Sequence, residues 1–234
     1  MIYLYAISER TEAQLPDALN LEGVDGGPAC LDHLVYQDIA AVFGLLQTAQ
    51  VTPTMEAVWR HETVVEALMG DRAVLPMRFG ALFADAGAVQ AALAAHYDDL
   101  VADLRRVRGK VELGLRVLWA EDAPFPKPIA DNEKSSGFAY MMARVDQERE
   151  TRVWTEQAKA LAAEIHDSLA VQAAESACQV QVTRRMFLTA AYLVEKDQVG
   201  LFRRQVDTLQ PTYPTLRFLC TGPWPPYNFV TIHA

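Results

Sequence analysis

Only three cysteines occur in the 234 residues, Cys30, Cys178 and Cys220, and no two of them stand at a Cys-x-x-Cys spacing. That argues against a disulfide framework and a thiolate zinc site, and it fits a reducing compartment. Long apolar runs are missing as well: no window approaches the roughly 18 uncharged apolar residues that mark a membrane-spanning helix. Met1–Arg10 has no positive n-region and too short an apolar run for a secretory signal, so a cytoplasmic chain is the expectation. Positive charge is scarce too. Lys and Arg number 21 against 30 Asp and Glu, a net charge of −9, and residues 1–120 alone hold 16 acidic against nine basic side chains. Nucleic acid and anionic membrane surfaces are therefore poor partners, since affinity for them comes from clustered cations.

The signatures of common chemistry are absent in the same way. His33, His61, His96, His166 and His233 never pair at helical spacing, and His61-Glu62 lacks the second histidine of a metalloprotease helix. There is no Gly-x-Ser-x-Gly elbow, phosphate loop or dinucleotide fingerprint, and Gly23, Gly26 and Gly27 lie in a polar turn with no following lysine. Asp98-Asp99 point about 100° apart on a helix and read as a solvated face. No converging set of catalytic groups is legible, so the expectation is a protein that is not an enzyme and holds no metal or cofactor.

What is present is a chain 51% hydrophobic and long enough for one large or two small cores. Residues 2–7 read as a strand, and Leu34–Tyr36 with Ile39–Phe43 as a hairpin about Gln37-Asp38. Thr54 caps a helix to about Gly70, with Met55, Val58, Trp59, Val65, Leu68 and Met69 expected on its buried side. Asp85 opens a second helix through Val89, Leu93, Tyr97, Leu100 and Leu104, ended by Gly109, and residues 111–119 form a strand. Residues 121–136 hold three prolines and no periodicity, as expected of a linker. A long helix follows with Phe138, Met141, Met142, Val145, Val153, Leu161, Ile165 and Leu169 as its stripe. Then come an edge or one-sided strand at 178–183, a buried strand at 186–194, a helix carrying Val199, Phe202, Val206 and Leu209, and a strand at 216–220. Met141-Met142 and Met186-Phe187 suit either an adaptable binding surface or an irregular core, and the core is the favoured reading, since both sit in periodic apolar stripes. A weak internal repeat is suggested by Leu115-Arg116-Val117-Leu118 and Leu216-Arg217-Phe218-Leu219, each after a helix with an Arg pair. The pattern favours an α+β fold in two domains: 1–120, a linker at 121–136, 137–221, and a tail at 222–234.

The tail is the most distinctive stretch. Thr221-Gly222-Pro223-Trp224-Pro225-Pro226-Tyr227-Asn228-Phe229-Val230 has three prolines and a glycine, which fix the backbone and remove three amide donors. It is expected to end any ladder and lie as a stiff strap, its rings docking on the body or on a partner.

This decapeptide resembles the C-terminal signature of the gas vesicle accessory proteins of the GvpF/GvpL family. Three more stretches resemble the family in order: Tyr3-Leu4-Tyr5, Leu75-Pro76-Met77-Arg78-Phe79-Gly80, and Lys110-Val111-Glu112-Leu113-Gly114. The resemblance spans nearly the whole chain. It implies two ferredoxin-like α+β sandwiches. It also implies a non-enzymatic role in gas vesicle assembly, with the chain retained as a minor vesicle component, and binding of the very hydrophobic shell protein GvpA and of other accessory proteins. A shell subunit exposes apolar surface before it polymerises and aggregates unless covered. The alternative is a ferredoxin-like small-molecule-binding regulatory domain or enzyme, since that architecture hosts both.

Candidate site residues follow from the two richest motifs. Arg78 either braces its own domain through loop carbonyls or Glu112, the favoured reading, or meets a partner carboxylate. It stands with Phe79, Tyr227 and Phe229 as a partner-binding candidate. Trp224 is expected to be buried, and with Pro76, Gly80 and Gly222 it is assigned a structural role.

Overall fold

The computed structural model describes residues 1–10, 21–48, 50–70, 72–120, 137–180, 183 and 186–231. Two compact units result, Met1–Glu112 with Pro223–Ala234, and Leu113–Gly222. The chain thus changes unit between Glu112 and Leu113 and again between Gly222 and Pro223. The sequence expectation put the first change after Ala120 and made the tail a separate piece. Residues 121–136, read as the linker, lie outside the described residues.

In the first unit, β1 (Ile2–Glu9) is the central strand. It pairs antiparallel with β3 (Ile39–Leu45) on one side, and with β4 (Val74–Pro76) and the short β5 (Leu82–Phe83) on the other. The hairpin partner of β3, β2 (Leu31–Tyr36), completes the order β2-β3-β1-β4. Alternation puts Tyr3 and Tyr5 on one face of β1 and Leu4 on the other. A register shift between Leu4 and Ala6 then lets Ala6 join the tyrosines while Ile7 follows Leu4.

The tyrosine face is covered by α1 (Met55–Leu68), whose N-terminus is capped by Thr54 Oγ1 accepting from the Ala57 amide at 3.1 Å. Its buried residues are Ala57, His61, Val64, Val65 and Leu68. The expected face was wrong at its start: Met55 and Trp59 are 86% and 70% exposed. The true stripe runs through a polar residue, His61, so counting apolar side chains alone rotated it. The other face of β1 meets α2 (Ala86–Ala95), capped by Asp85, and α3 (Tyr97–Val107). Val89, Leu93, Leu100 and Leu104 are buried as expected, although the helix is broken in two at His96.

The second unit runs β6 (Lys110–Trp119), α4 (Gly137–Ala170), β7 (Glu175–Val180), β8 (Met186–Glu195), α5 (Val199–Thr212) and β9 (Leu216–Trp224). Its sheet has the order β7-β8-β6-β9, the same pattern of strands as in the first unit. Leu113, Leu115 and Val117 of β6 alternate onto one core. Ala158, Ala162, Ile165 and Leu169 of α4 and Phe202, Val206 and Leu209 of α5 fill that same core. Both phrases read as an internal repeat therefore lie in this one sheet, on β6 and β9, and the likeness between halves is in strand order instead.

Two further expectations on apolar residues change. Met141 and Met142 are exposed, together with Phe138, Val145 and Val153, because the core contacts of α4 begin only in its second half. Met186 is half-buried, while Phe187 is fully buried as expected. Among the described residues no helix is long and apolar enough to cross a membrane.

Candidate functional site

Two of the four distinctive stretches meet around one buried imidazole. His61 is fully buried, with Nδ1 2.9 Å from the Tyr3 hydroxyl and Nε2 2.9 Å from the Met77 carbonyl. A carbonyl can only accept, so Nε2 carries the proton and Nδ1 accepts from Tyr3. The Tyr3 oxygen in turn accepts from the Gly80 amide at 3.2 Å. Tyr5 stacks on the imidazole at 5.6 Å between ring centroids, and Phe79 meets both His61 and Tyr3 edge-on. The Tyr5 hydroxyl accepts from the Val24 amide. Burial lowers the His61 pKa to about 4 and raises that of Tyr3 well above the ordinary phenol value.

The knot holds the loop after β4 in place. Met77 N donates to Tyr5 O and Leu4 N to Ala81 O, both at 2.9 Å, and Gly80 turns the chain at φ +93°, a conformation that favours glycine. Pro76, opposite Ala6 in β4, is buried. Phe79 is half-buried against Tyr3 and His61. Arg78 between them is exposed and makes no ion pair among the described residues, so the expected brace to Glu112 is not formed. Glu112 has other partners.

Those partners are in the strap, which docks on the first unit. Glu112 accepts from the Asn228 amide at 2.9 Å and from Asn228 Nδ2 at 2.6 Å. Asp103, 4% exposed, accepts from the Thr231 amide and hydroxyl, each at 2.8 Å, and from Arg106 at 2.7 Å. Arg106 also donates to the Phe229 carbonyl. The Tyr227 hydroxyl is buried and faces Glu62. Burial and the facing carboxylate raise the pKa of Tyr227, and burial raises those of Glu62 and Glu112.

The expected division of the strap's rings is inverted. Phe229 is 5% exposed and Trp224 is 40% exposed, with Tyr227 between them. Nor does the ladder end before the strap: β9 runs through Gly222 and Pro223 to Trp224. As the last strand of its sheet it has an unpaired edge, toward which a proline's missing amide can face without loss. Gly222 accepts through its carbonyl from Arg203. Gly114 has no room for a side chain, because a Cβ there would stand 2.8 Å from Thr221 Oγ1.

Sequence reasoning thus singled out Pro76, Phe79, Gly80 and the strap, and passed over His61, Asp103 and Arg106. The signal for His61 was its spacing, i and i+4 from Ala57 and Val65, at the centre of a buried stripe. For Asp103 and Arg106 it was polar residues on the inward side of α3. The arrangement is one of many hydrogen bonds and packed rings, suited to rigidity. Among the described residues no three His, Cys, Asp or Glu side chains gather as for a metal.

Comparison with known proteins agrees with this geometry. The family described as gas vesicle synthesis protein GvpL/GvpF matches residues 1–231. Gas vesicle protein F2 of Halobacterium salinarum is 31% identical over 99% of this chain and 93% of its own. Gas vesicle protein L of a Streptomyces species is 27% identical over 98% and 92%. The fold matches the crystal structure of GvpF from Anabaena with a TM-score of 0.78 at 20% identity, covering 100% of this chain and 97% of that one. GvpF from Microcystis aeruginosa matches with a TM-score of 0.75. The chain therefore belongs to the GvpL/GvpF family of gas vesicle synthesis proteins.

Proposed function

We propose that this chain serves gas vesicle assembly by binding the hydrophobic shell protein GvpA, limiting its aggregation during nucleation or growth, and remaining as a minor vesicle component. Its route would run from the cytoplasm to the vesicle, with other accessory proteins as further partners and no chemical turnover. The observation that carries this reading is apolar surface left open on two helices. Phe138, Met141, Met142 and Val145 form a stripe at i, i+3, i+4 and i+7 on the first half of α4, each about half exposed or more. Thioether side chains adapt to a varied apolar partner. On α1, Met55 and Trp59 add a second open pair one turn apart.

The site assignments refine in the same light. Arg78 is the partner contact of the original four, and Trp224 joins it as an exposed ring, while Phe229 and Tyr227 hold the strap. The strand order 2-3-1-4 in both units supports the ferredoxin-like reading, and the two units are proposed as domains with the strap closing the first. The test is aggregation of purified shell protein followed by light scattering, with and without this chain. Suppression at near-equimolar ratio is expected, and unchanged scattering together with no pulldown would refute the reading.

A further inference from the structure

Between β1 and the α2–α3 pair lies a cavity of about 400 Å³ that the chain's own side chains leave unfilled. Leu4 and Ile7 form its floor, and Val89, Leu93 and Leu100 its wall. All five are at most 5% exposed, so the walls belong to the packed body. Volumes of this size are typical of binding pockets, and an unfilled apolar void forfeits packing that a folded chain otherwise makes. Of the lining residues, Gly80 and His96 are exposed and Phe83 is half-buried, so the cavity meets solvent on their side. Its near edge is the loop that His61 and Tyr3 hold at Met77 and Gly80, so the entrance is set before anything binds.

Charge marks the same edge. In sequence Arg78 stands between two residues that line the cavity, Met77 and Gly80; it is exposed and makes no ion pair among the described residues. His96, exposed at the edge, is the one ionisable side chain in the lining among the described residues. In a half-chain where acidic residues outnumber basic ones 16 to nine, a bare cation beside an apolar opening selects an occupant with a carboxylate. The cation stands on the outer loop and no charged group lies inside. The occupant's charge therefore stays at the surface while its apolar part enters, as when side chains project from a protein segment.

We propose that this cavity receives aliphatic side chains from a segment of the shell protein that carries a carboxylate within a turn of them, the carboxylate pairing with Arg78. The proposal rests on the reading of this chain as a shell-protein binder and adds the place and the chemistry of the contact.

The test uses the full chain and sodium dodecanoate below its micelle-forming concentration, one aliphatic chain with one carboxylate. Amide resonances of Gly80, Leu82 and Leu93 should shift on titration. Ala92→Phe, which places a ring in the cavity from half-buried Ala92, should abolish the shifts. Arg78→Glu, at an exposed position that leaves the fold intact, should weaken dodecanoate about tenfold, and Arg78→Lys should weaken it less. Shell protein bound to the wild type should be displaced by dodecanoate and held about tenfold more weakly by both Ala92→Phe and Arg78→Glu. Unmoved amides, or shifts that persist in Ala92→Phe, overturn the proposal. So does a lipid found bound in the purified chain. Shell-protein binding that resists dodecanoate and both variants overturns it while the assembly reading stands. Dodecanoate seated in the cavity of a chain that binds no shell protein removes the assembly reading and the shell segment with it.

Discussion

Asn228 is bound to Glu112 through both its backbone amide and its side chain, across 116 positions of sequence. Glu112 is the last residue of the first unit before the chain leaves it, and Asn228 is among the first after the chain returns. The pair therefore closes a loop that contains the whole second unit. Two residues after Glu112 and seven before Asn228, the same two segments meet again, since Gly114 makes room for Thr221. Two of the stretches by which the sequence resembles its family, Lys110–Gly114 and the strap, are thus the two sides of one closure.

Replacing Glu112 with Ala removes the acceptor of two donors at a site 6% exposed. Hydrogen bonds to a charged group contribute about 1.5 to 3 kcal/mol each, and the orphaned Asn228 groups can reach water only by lifting the strap. A loss of about 2 to 4 kcal/mol is expected, near 5 to 15 °C in melting temperature for a chain of this size. Hydrogen exchange should report faster opening at Asn228, Phe229 and Thr231. A variant that melts with the wild type would show that the strap is held elsewhere.

Gly114→Ala places a methyl 2.8 Å from Thr221 Oγ1, inside any permitted contact. β6 and β9 must then part or Thr221 must turn, at a cost of about 1 to 3 kcal/mol. The double variant Gly114→Ala, Thr221→Ala removes the clash and should recover most of that loss in chemical denaturation. No recovery would locate the strain in the backbone of β6.

The pH dependence of stability is set in part by His61. Its pKa falls from the ordinary 6.5 to about 4 on folding, because burial disfavours the imidazolium. The unfolded chain therefore binds the proton first as pH drops. The contribution is whole above pH 6.5 and is lost as pH falls to about 4, a swing of about 3 kcal/mol. Glu62 and Glu112, with pKa values raised by burial, act in the opposite sense as pH rises above the ordinary carboxylate range. The difference between wild type and His61→Gln isolates the histidine: it should shrink steadily from pH 6.5 to 4 in urea denaturation. A constant difference would mean that His61 is solvated.

Much of the local structure was legible in the residues. Thr54 and Asp85 announce their helices by capping chemistry, and Gln37-Asp38 separates two apolar runs that pair as a hairpin. These signals act within a few residues and depend on no distant partner. The faces of α1 and α4 did not yield to the same reading. On α1 the centre of the buried stripe is His61, whose burial depends on acceptors and donors 58 and 16 positions away. On α4 the apolar spacing continues past the point where the core stops, and spacing alone cannot tell a covered stripe from an open one. The strap misled for a related reason. Trp224 is the largest ring, but it ends a strand at a sheet edge, whereas smaller Phe229 ends a 3-10 turn and is buried.

The strap's rings make the most direct test, because their burial inverts what size alone predicts. Phe229→Ala removes a ring that is 5% exposed and leaves a hole in its place, at about 3 to 5 kcal/mol. Trp224→Ala removes a ring already 40% in contact with water, so less apolar surface changes environment and the loss should stay near 1 kcal/mol. Binding should follow the reverse order. Trp224, as an exposed aromatic, can anchor a partner, and its removal should weaken shell-protein pulldown while the melting temperature holds. Phe229→Ala should lower the melting temperature by about 10 °C or more and, below its transition, bind nearly as wild type. Both measurements on both variants settle the roles: if Trp224→Ala melts earlier than Phe229→Ala, the rings are assigned the wrong way round and the strap lies differently on the body.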